Sequence, residues 1–523
     1  MTTADTTTGP AGDTDIGTAA DTTTGPVPGT TTPAGSGDSG SGPPRPDRTE
    51  RRGWYAVGAL TGLVALTWLP RLDTPFGDDH LGRIIGRYAL HLRNLQEHGV
   101  LGSHFGADWA PYASAPYAHH PPLMNLLTAL TGLLPGDGEY QVWLPPYLLA
   151  LLIIPAGAAL LRGLGIRWSA TLLALGLTVA TTFYWVHSPL MIDLGPILAL
   201  SAGIVRLRRQ PDPSRRLVAV TCLAALLSTL VSWPGIALAG VLGIWLVLGR
   251  RRLDRAVLLV GAAMLVGVAV SLVFVVGVTG LALLGGQAEL RSSGGFTVRQ
   301  FLRRQWQYAR DLLPVWYLVL LPLGGLVALL DRRTRGYLVI AAGFTAGWIL
   351  GLNNGAFVHS YWSYPILVVG LVGTGVLLDR LATGFAAPVA ARRTVLAVAG
   401  VGLLAYLGVL ALSPFGQRLV TEPARAGRLV ADHRPPADQR YAWVVGSGLN
   451  SPRWLAYYWN LTPRLLTVEE LTAETTRPDE LVLVDLNRRP NWIPESVGGA
   501  AVARDGRYAL VPVAALRATA VRP

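Results

Sequence analysis

The reading turns on FGDDHLGRIIGRYALHLRNLQEHGVLGSHFGADWAPYASAPYAHHPPLMNLL, residues 76–127. This stretch opens on two adjacent aspartates, Asp78 and Asp79, and holds six of the nine histidines. Before it runs an apolar segment from Trp54 to Leu69, and apolar segments recur after it as far as residue 412. Following the aspartates, Leu81, Ile84, Ile85, Tyr88, Leu92 and Leu95 repeat at helical spacing while Arg83, Arg87, Arg93 and Asn94 take the other faces. That pattern predicts an amphipathic helix lying on a membrane surface. One aspartate at a helix start is explained by capping, because a carboxylate satisfies free N–H groups and the helix dipole. Capping does not require a second one beside it, and ionisable groups at a membrane boundary point to function.

Composition agrees with a membrane setting. Hydrophobic residues make up 51% and charged ones 15%, and mean hydropathy is +0.39, too apolar for an ordinary soluble domain. With about 20 apolar residues needed per helical crossing, spans are expected near 54–69, 143–161, 169–186, 189–205, 217–232, 235–249, 256–278, 312–330, 336–352, 361–378 and 394–412. The total is about eleven, and Trp233-Pro234 splits the long run from Val218 to Leu248 into a hairpin. Arg51 and Arg52 precede the first run, which reads as a retained span rather than a cleaved signal.

The chain has no lysine, so its 44 basic residues are all arginine. This excludes a Walker A loop, a Schiff-base lysine and a Ser-Lys dyad. The single cysteine, Cys222, supports neither a disulfide framework nor a cysteine metal site. The net charge of +12 does not call for nucleic acid, because the arginines gather at the ends of apolar runs. Arg51/Arg52, Arg162/Arg167, Arg206 to Arg216, Arg250 to Arg255, Arg332 to Arg335 and Arg392/Arg393 fall on one side, which the positive-inside rule assigns to the cytoplasm. The opposite side receives the first loop (71–142), every histidine and a tail from 413 to 523. In that tail YAWVVG, RLLTV, LVLVDL and YALVPV read as strands and SPRWLAYYWN as a helix, predicting a small extracytoplasmic α/β domain. Residues 1–50 have the composition of a disordered cytoplasmic tail, and 51–412 form the membrane domain.

Further polar residues stand out. Asp193 lies in HSPLMIDLGP at a helix start, where capping and function are both open. The segment FTVRQFLRRQWQYARDLLP interleaves aromatics with Arg299, Arg303, Arg304 and Arg310, which suits an interfacial helix and also phosphate recognition. No cofactor is assigned. A divalent metal ion is the one candidate, with His80 and His120 as candidate ligands, although no HExxH or comparable spacing occurs; headgroup anchoring and phosphate binding are the competing readings.

GDDHLGRIIGRYALHLRNLQEHG followed by YAHHPPLMNLL resembles the acidic pair, surface helix and basic-PPL element of GT-C glycosyltransferases of the protein O-mannosyltransferase and aminoarabinose-transferase type. SPLMIDLGP and FVHSYWSYPIL are similar to later segments of that family. The resemblance implies a hexosyl- or pentosyltransferase that uses a polyprenyl-phosphate sugar donor and an extracytoplasmic acceptor. Within it Asp78 is the base, Asp79 its neighbour, His120 the basic position before the prolines and Asp193 a supporting carboxylate; His119, His120, Arg303, Arg304 and His359 are the candidates for binding the donor phosphate. The sequence departs from the family by carrying Asp79 where Glu is common and histidine where lysine often precedes the prolines. A lipid or glycan flippase is the alternative, but its proton-relaying carboxylates belong at the midplane.

The arginine alternation predicts that the N-terminus is cytoplasmic and residues 413–523 extracytoplasmic. Alkaline phosphatase fused after Pro523 is expected to be active, and a cytoplasmic fluorescent reporter at the same site dark. The reverse pair overturns the assignment.

Overall fold

The computed structural model describes residues 48–519, apart from 137, 385–388, 447–448 and 450–451; the expected tail 1–50 therefore lies almost wholly outside the described residues. The first helix runs Arg48–Trp68. Each later expected span falls on a helix or on two successive ones: Tyr140–Leu151 continued by Ile153–Gly163, Trp168–Val179 bent by 62° into Thr182–His187, then Leu194–Arg209, Arg215–Val231, Trp233–Arg250, Arg255–Thr279, Val315–Leu330, Arg335–Gly351, Ile366–Gly384 and Val389–Leu412. By length and apolarity, five of the described helices can cross a bilayer, or up to seven if each of two sharply bent pairs is one span. Others stop at 16 or 17 residues, partly because the chain turns tightly through capping residues. Ser232 alone separates Arg215–Val231 from Trp233–Arg250, and its hydroxyl accepts from Gly235 N at 3.0 Å.

The arginine-bearing loops meet in space. Arg167 pairs with Asp379 at 2.8 Å, Arg333 with Asp331 at 2.8 Å and Asp379 at 3.3 Å, and Arg380 with Asp331 at 2.9 Å. Arg162 reaches Glu50 at 3.2 Å, and Arg250 donates to the Leu207 carbonyl at 2.9 Å. Loops that alternate along the chain thus share one end of the helical body, as the charge pattern requires. The helix Val298–Leu312 lies at 114° to Val315–Leu330, the attitude of an interfacial helix. It is held by a Thr297/Gln300 capping box.

Beyond Leu412 come the helix Pro414–Ala431 and a five-stranded sheet with β1 Ala442–Val445, β2 Pro463–Leu465, β3 Leu481–Asp485, β4 Ala503–Asp505 and β5 Tyr508–Pro512, in the order β2-β1-β3-β5-β4. Strand β1 pairs parallel with β2 and β3, and β5 pairs antiparallel with β3 and β4. Successive side chains point to opposite faces of a strand, and here both faces are covered. Ala442, Val444, Leu483, Tyr508 and Leu510 join the core continuous with the helical body. Trp443, Val445, Val482, Val484, Ala509 and Val511 build a second core with Leu471, Val497 and Leu516.

The sheet and its short helix Arg453–Trp459 dock on His80–Gly102, so this helix differs from the expected surface helix. Its polar face is covered by protein: Arg87, His91 and Asn94 are buried, and Arg93 donates to the Tyr457 carbonyl at 3.0 Å. Glycine makes the approach possible, since a Cβ at Gly86 would lie 3.0 Å from Cβ of Trp454. The join is tied by Tyr458, whose hydroxyl accepts from Phe76 N at 2.9 Å and donates to Glu139 at 2.8 Å.

Gly427, in Pro414–Ala431, packs so closely that a side chain there would collide with the Phe76 carbonyl. Gly427→Ala is expected to destabilise by ~1–3 kcal/mol, the usual range for overpacking, and Gly261→Ala, which faces open space, by much less. Thermal unfolding in detergent compares them, and equal melting temperatures would refute the close packing.

Candidate active site

The two aspartates stand at the junction of helix, sheet and membrane domain. Asp79 is the N-cap of His80–Gly102, its carboxylate accepting from Gly82 N at 2.6 Å. It lines a small cavity with Arg71, Trp143, Tyr147 and Gly77. Arg71 is buried beside it, donating to the Trp185 carbonyl at 2.9 Å with its guanidinium 3.8 Å from the Trp185 ring centre. Desolvation pushes the Asp79 carboxyl up to about 6, the Gly82 amide opposing and the Asp78 charge adding to the rise.

Asp78 does not cap. One carboxylate oxygen receives Arg83 at 2.7 Å, and the other receives the hydroxyl of Tyr508 at 3.2 Å, with Arg507 3.7 Å away. Its side chain is 1% exposed, and burial pushes the carboxyl above the ordinary range against the pull of Arg83, Tyr508 and Arg507. The two neighbours thus have separate duties, one holding a helix end and the other fastened to the C-terminal sheet.

Next to this pair lies a cationic basin. Arg87 is buried with its Cζ 4.6 Å from the ring centres of both Tyr88 and Tyr117. Arg453 stands over Trp109 at 5.1 Å and Tyr112 at 5.5 Å, and Arg291 meets His359 Nε2 at 2.7 Å. Among the described residues none of these three arginines forms an ion pair. The His359 ring lies 5.0 Å from His80 and 5.3 Å from Tyr361, and His119 is edge-on to Tyr117 at 4.3 Å. Burial, reinforced by Arg87, lowers His91 and His120 well below the ordinary histidine value. Burial likewise lowers His80, His119 and His359, the last to about 3. The histidines are therefore neutral near pH 7, and the arginines supply the permanent charge.

Asp193 is buried and makes no capping bond. Its carboxylate accepts from Ser232 and from Tyr364, each at 2.5 Å, joining three helices. The same turn reaches the histidine loop, as Trp233 Nε1 donates to the His119 carbonyl at 2.7 Å. Beside Tyr364 an apolar cavity is lined by Leu194, Ile197, Leu238, Phe344 and Val368.

Of the residues proposed for phosphate, His119, His120 and His359 thus lie at the basin. Arg303 is exposed on Val298–Leu312, and Arg304 meets Gln307, Tyr308 and Phe357. Arg291, Arg87 and Arg453 occupy the basin in their place. Arg87 was readable only as a polar helix position, and nothing in SPRWLAYYWN marked Arg453. Among the described residues no group of three His, Cys, Asp or Glu could hold a metal ion, so His80 and His120 belong to no such cluster.

No protein-family model matches the chain, and no curated protein does. Among solved structures, ArnT from Cupriavidus metallidurans in the apo state aligns at TM-score 0.50 and 18% identity, over 89% of this chain and 99% of that one. The same protein bound to undecaprenyl phosphate aligns at 0.47 and 17%, over 88% and 98%. The archaeal oligosaccharyltransferase AglB from Archaeoglobus fulgidus aligns at 0.44 and 11%, over 83% and 70%. The chain has the fold of apo ArnT, a GT-C fold, over nearly all of both chains.

The raised Asp79 value yields a test. Its folded-state pKa of about 6 lies above the ordinary ~3.9, so the folded protein holds this proton more tightly than the unfolded chain. The carboxyl's contribution to stability is full below about pH 4 and is lost as pH rises through about 6. Asp79→Asn keeps a capping side chain and removes the titration. Melting temperatures across pH 4.5–7.5 are expected to show the parent losing stability relative to Asp79→Asn; parallel curves would refute the assignment.

Proposed function

We propose that this chain is a polytopic membrane glycosyltransferase that moves a sugar from a polyprenyl-phosphate carrier to an extracytoplasmic acceptor, with Asp78 as general base. The observation that carries the reading is a buried carboxylate beside a basin of three arginines that have no ion-pair partner among the described residues. Glycosyl transfer with inversion needs a base to take the proton of the acceptor hydroxyl and cations to steady the departing phosphate. Asp78 fits the first role because burial raises its basicity. Arg87, Arg291 and Arg453 fit the second, arginine binding phosphate oxygens through paired hydrogen bonds, with His119, His120 and His359 as neutral hydrogen-bonding partners.

Asp79 orients the helix start, and Asp193 braces the turn that carries Trp233 against His119. Arg303 and Arg304, on the perpendicular helix, fit headgroup contact better than catalysis. The eleven-span count, the outward face of 413–523 and the cytoplasmic N-terminus belong to this proposal, for they bring a lipid donor to the site sideways through the bilayer.

Purified protein is incubated with acceptor extract and either radiolabelled polyprenyl-phosphate sugars or the matching nucleotide sugars, with no other enzyme. Transfer is expected from a lipid-linked donor alone, and Asp78→Asn is expected to lower the rate by about 10² to 10⁴. Transfer from the nucleotide sugar alone, or near-parent turnover by Asp78→Asn, would sink the reading.

A further inference from the structure

The most distant partners of Asp78 come from the C-terminal sheet, 429 and 430 positions along the chain. Strand β5 begins at Tyr508, whose backbone pairs with Asp485 of β3 and Asp505 of β4. The turn before it passes through Gly506 at φ +61°, a conformation that glycine adopts without strain. The β4 side of this hairpin is anchored to Pro414–Ala431, where Arg425 and Arg428 reach Asp505 at 3.6 and 3.4 Å. A firmly held hairpin therefore delivers one donor and one cation to one carboxylate oxygen: the Tyr508 hydroxyl, which donates at 3.2 Å, and the Arg507 guanidinium, at ion-pair distance of 3.7 Å. Arg507 also donates to the Tyr508 hydroxyl and lies 3.6 Å from the buried Asp485.

The sheet core does not explain this arrangement. Tyr508 is buried and packs by its ring, so phenylalanine would serve the core equally well, and Arg507 precedes the strand with no apolar duty. We propose that Tyr508 and Arg507 are positioning residues for Asp78, so that the C-terminal domain completes the active site instead of merely covering it. This inference rests on the reading of Asp78 as base. The groups facing Asp78 are Asp79 beside it, Arg83 from its own helix and Arg507 and Tyr508 from β5, with Asp485 acting through Arg507. The Tyr508 hydroxyl fixes the rotation of the carboxylate and the Arg507 charge stabilises its ionised form, while Arg83 holds the other oxygen.

The test compares Tyr508→Phe, Arg507→Met, Arg507→Lys and Asp78→Asn in the lipid-donor assay as a function of pH, with thermal unfolding of each. Removing a donor from the ionised carboxylate makes it hold its proton to higher pH. Tyr508→Phe is expected to lower kcat about tenfold, the scale of one hydrogen bond to a charged group, with KM for the lipid donor unchanged. The acidic limb of the rate profile is expected to move upward in pH. Arg507→Met is expected to move the limb the same way and Arg507→Lys to restore it in part, with melting temperatures near the parent's. A merely structural role would lower the melting temperature and leave the limb in place, which overturns the proposal. Parent-like kinetics in Tyr508→Phe and Arg507→Met, with Asp78→Asn inactive, overturns it while sparing the base. Near-parent turnover in Asp78→Asn removes the base and this inference together.

Discussion

A carboxylate removed from water is costly unless charge and hydrogen bonds replace its solvation, and Asp78 is held under that constraint. Its partners come from its own helix and from a strand that the chain reaches only after the whole membrane domain. Much else follows from bringing them together. Gly86 admits the Trp454 backbone, Gly427 admits the Phe76 carbonyl, and Tyr458 ties the loop before the aspartates to Glu139. Each contact closes the gap between sheet and helix.

The same closure changes the electrostatics of the basin. Covering His80–Gly102 leaves Arg87 and His91 without water, and arginine keeps its charge there while histidine gives up its own. Before the paired prolines this chain has a histidine that burial and Arg87 keep neutral. The permanent charge is carried instead by Arg87, Arg291 and Arg453, which stack on or lie beside aromatic rings. Phosphate affinity in such a site would vary little across neutral pH.

Much of the architecture was legible in the sequence because hydropathy and arginine placement are local signals. Each apolar range falls on a helix, and the arginine loops converge at one end. Four of the tail's five strands were legible too, as was the helix within SPRWLAYYWN, whereas the three-residue β4 and the helix Pro414–Ala431 were not. Span lengths were less so, since a single capping residue such as Ser232 shortens two helices at once, which no hydropathy window resolves. Within the site, the acidic pair announced itself by adjacency, whereas the division between a capping Asp79 and a sheet-bound Asp78 did not. Tyr508, Arg507 and Arg453 were invisible as site residues: they sit in ordinary strand and helix contexts, and their meaning depends on contacts made across hundreds of residues. Asp193 was visible as a carboxylate at a helix start, but its ties to Ser232 and Tyr364 replace the cap that its position suggested.

The Tyr458 crosslink and the β5 hairpin also bear on how the protein is made. The helical body through Leu412 leaves the ribosome first and can insert while the sheet is still unmade. Until the later segment has folded, Phe76 lacks its tyrosine partner and Asp78 its two distant partners. A half-made or wrongly inserted chain would therefore hold its acidic pair loosely, and competence would come only with the final stage of biogenesis. On the proposed reading, an assembly order of that kind would guard the carrier lipid against premature use by incomplete copies.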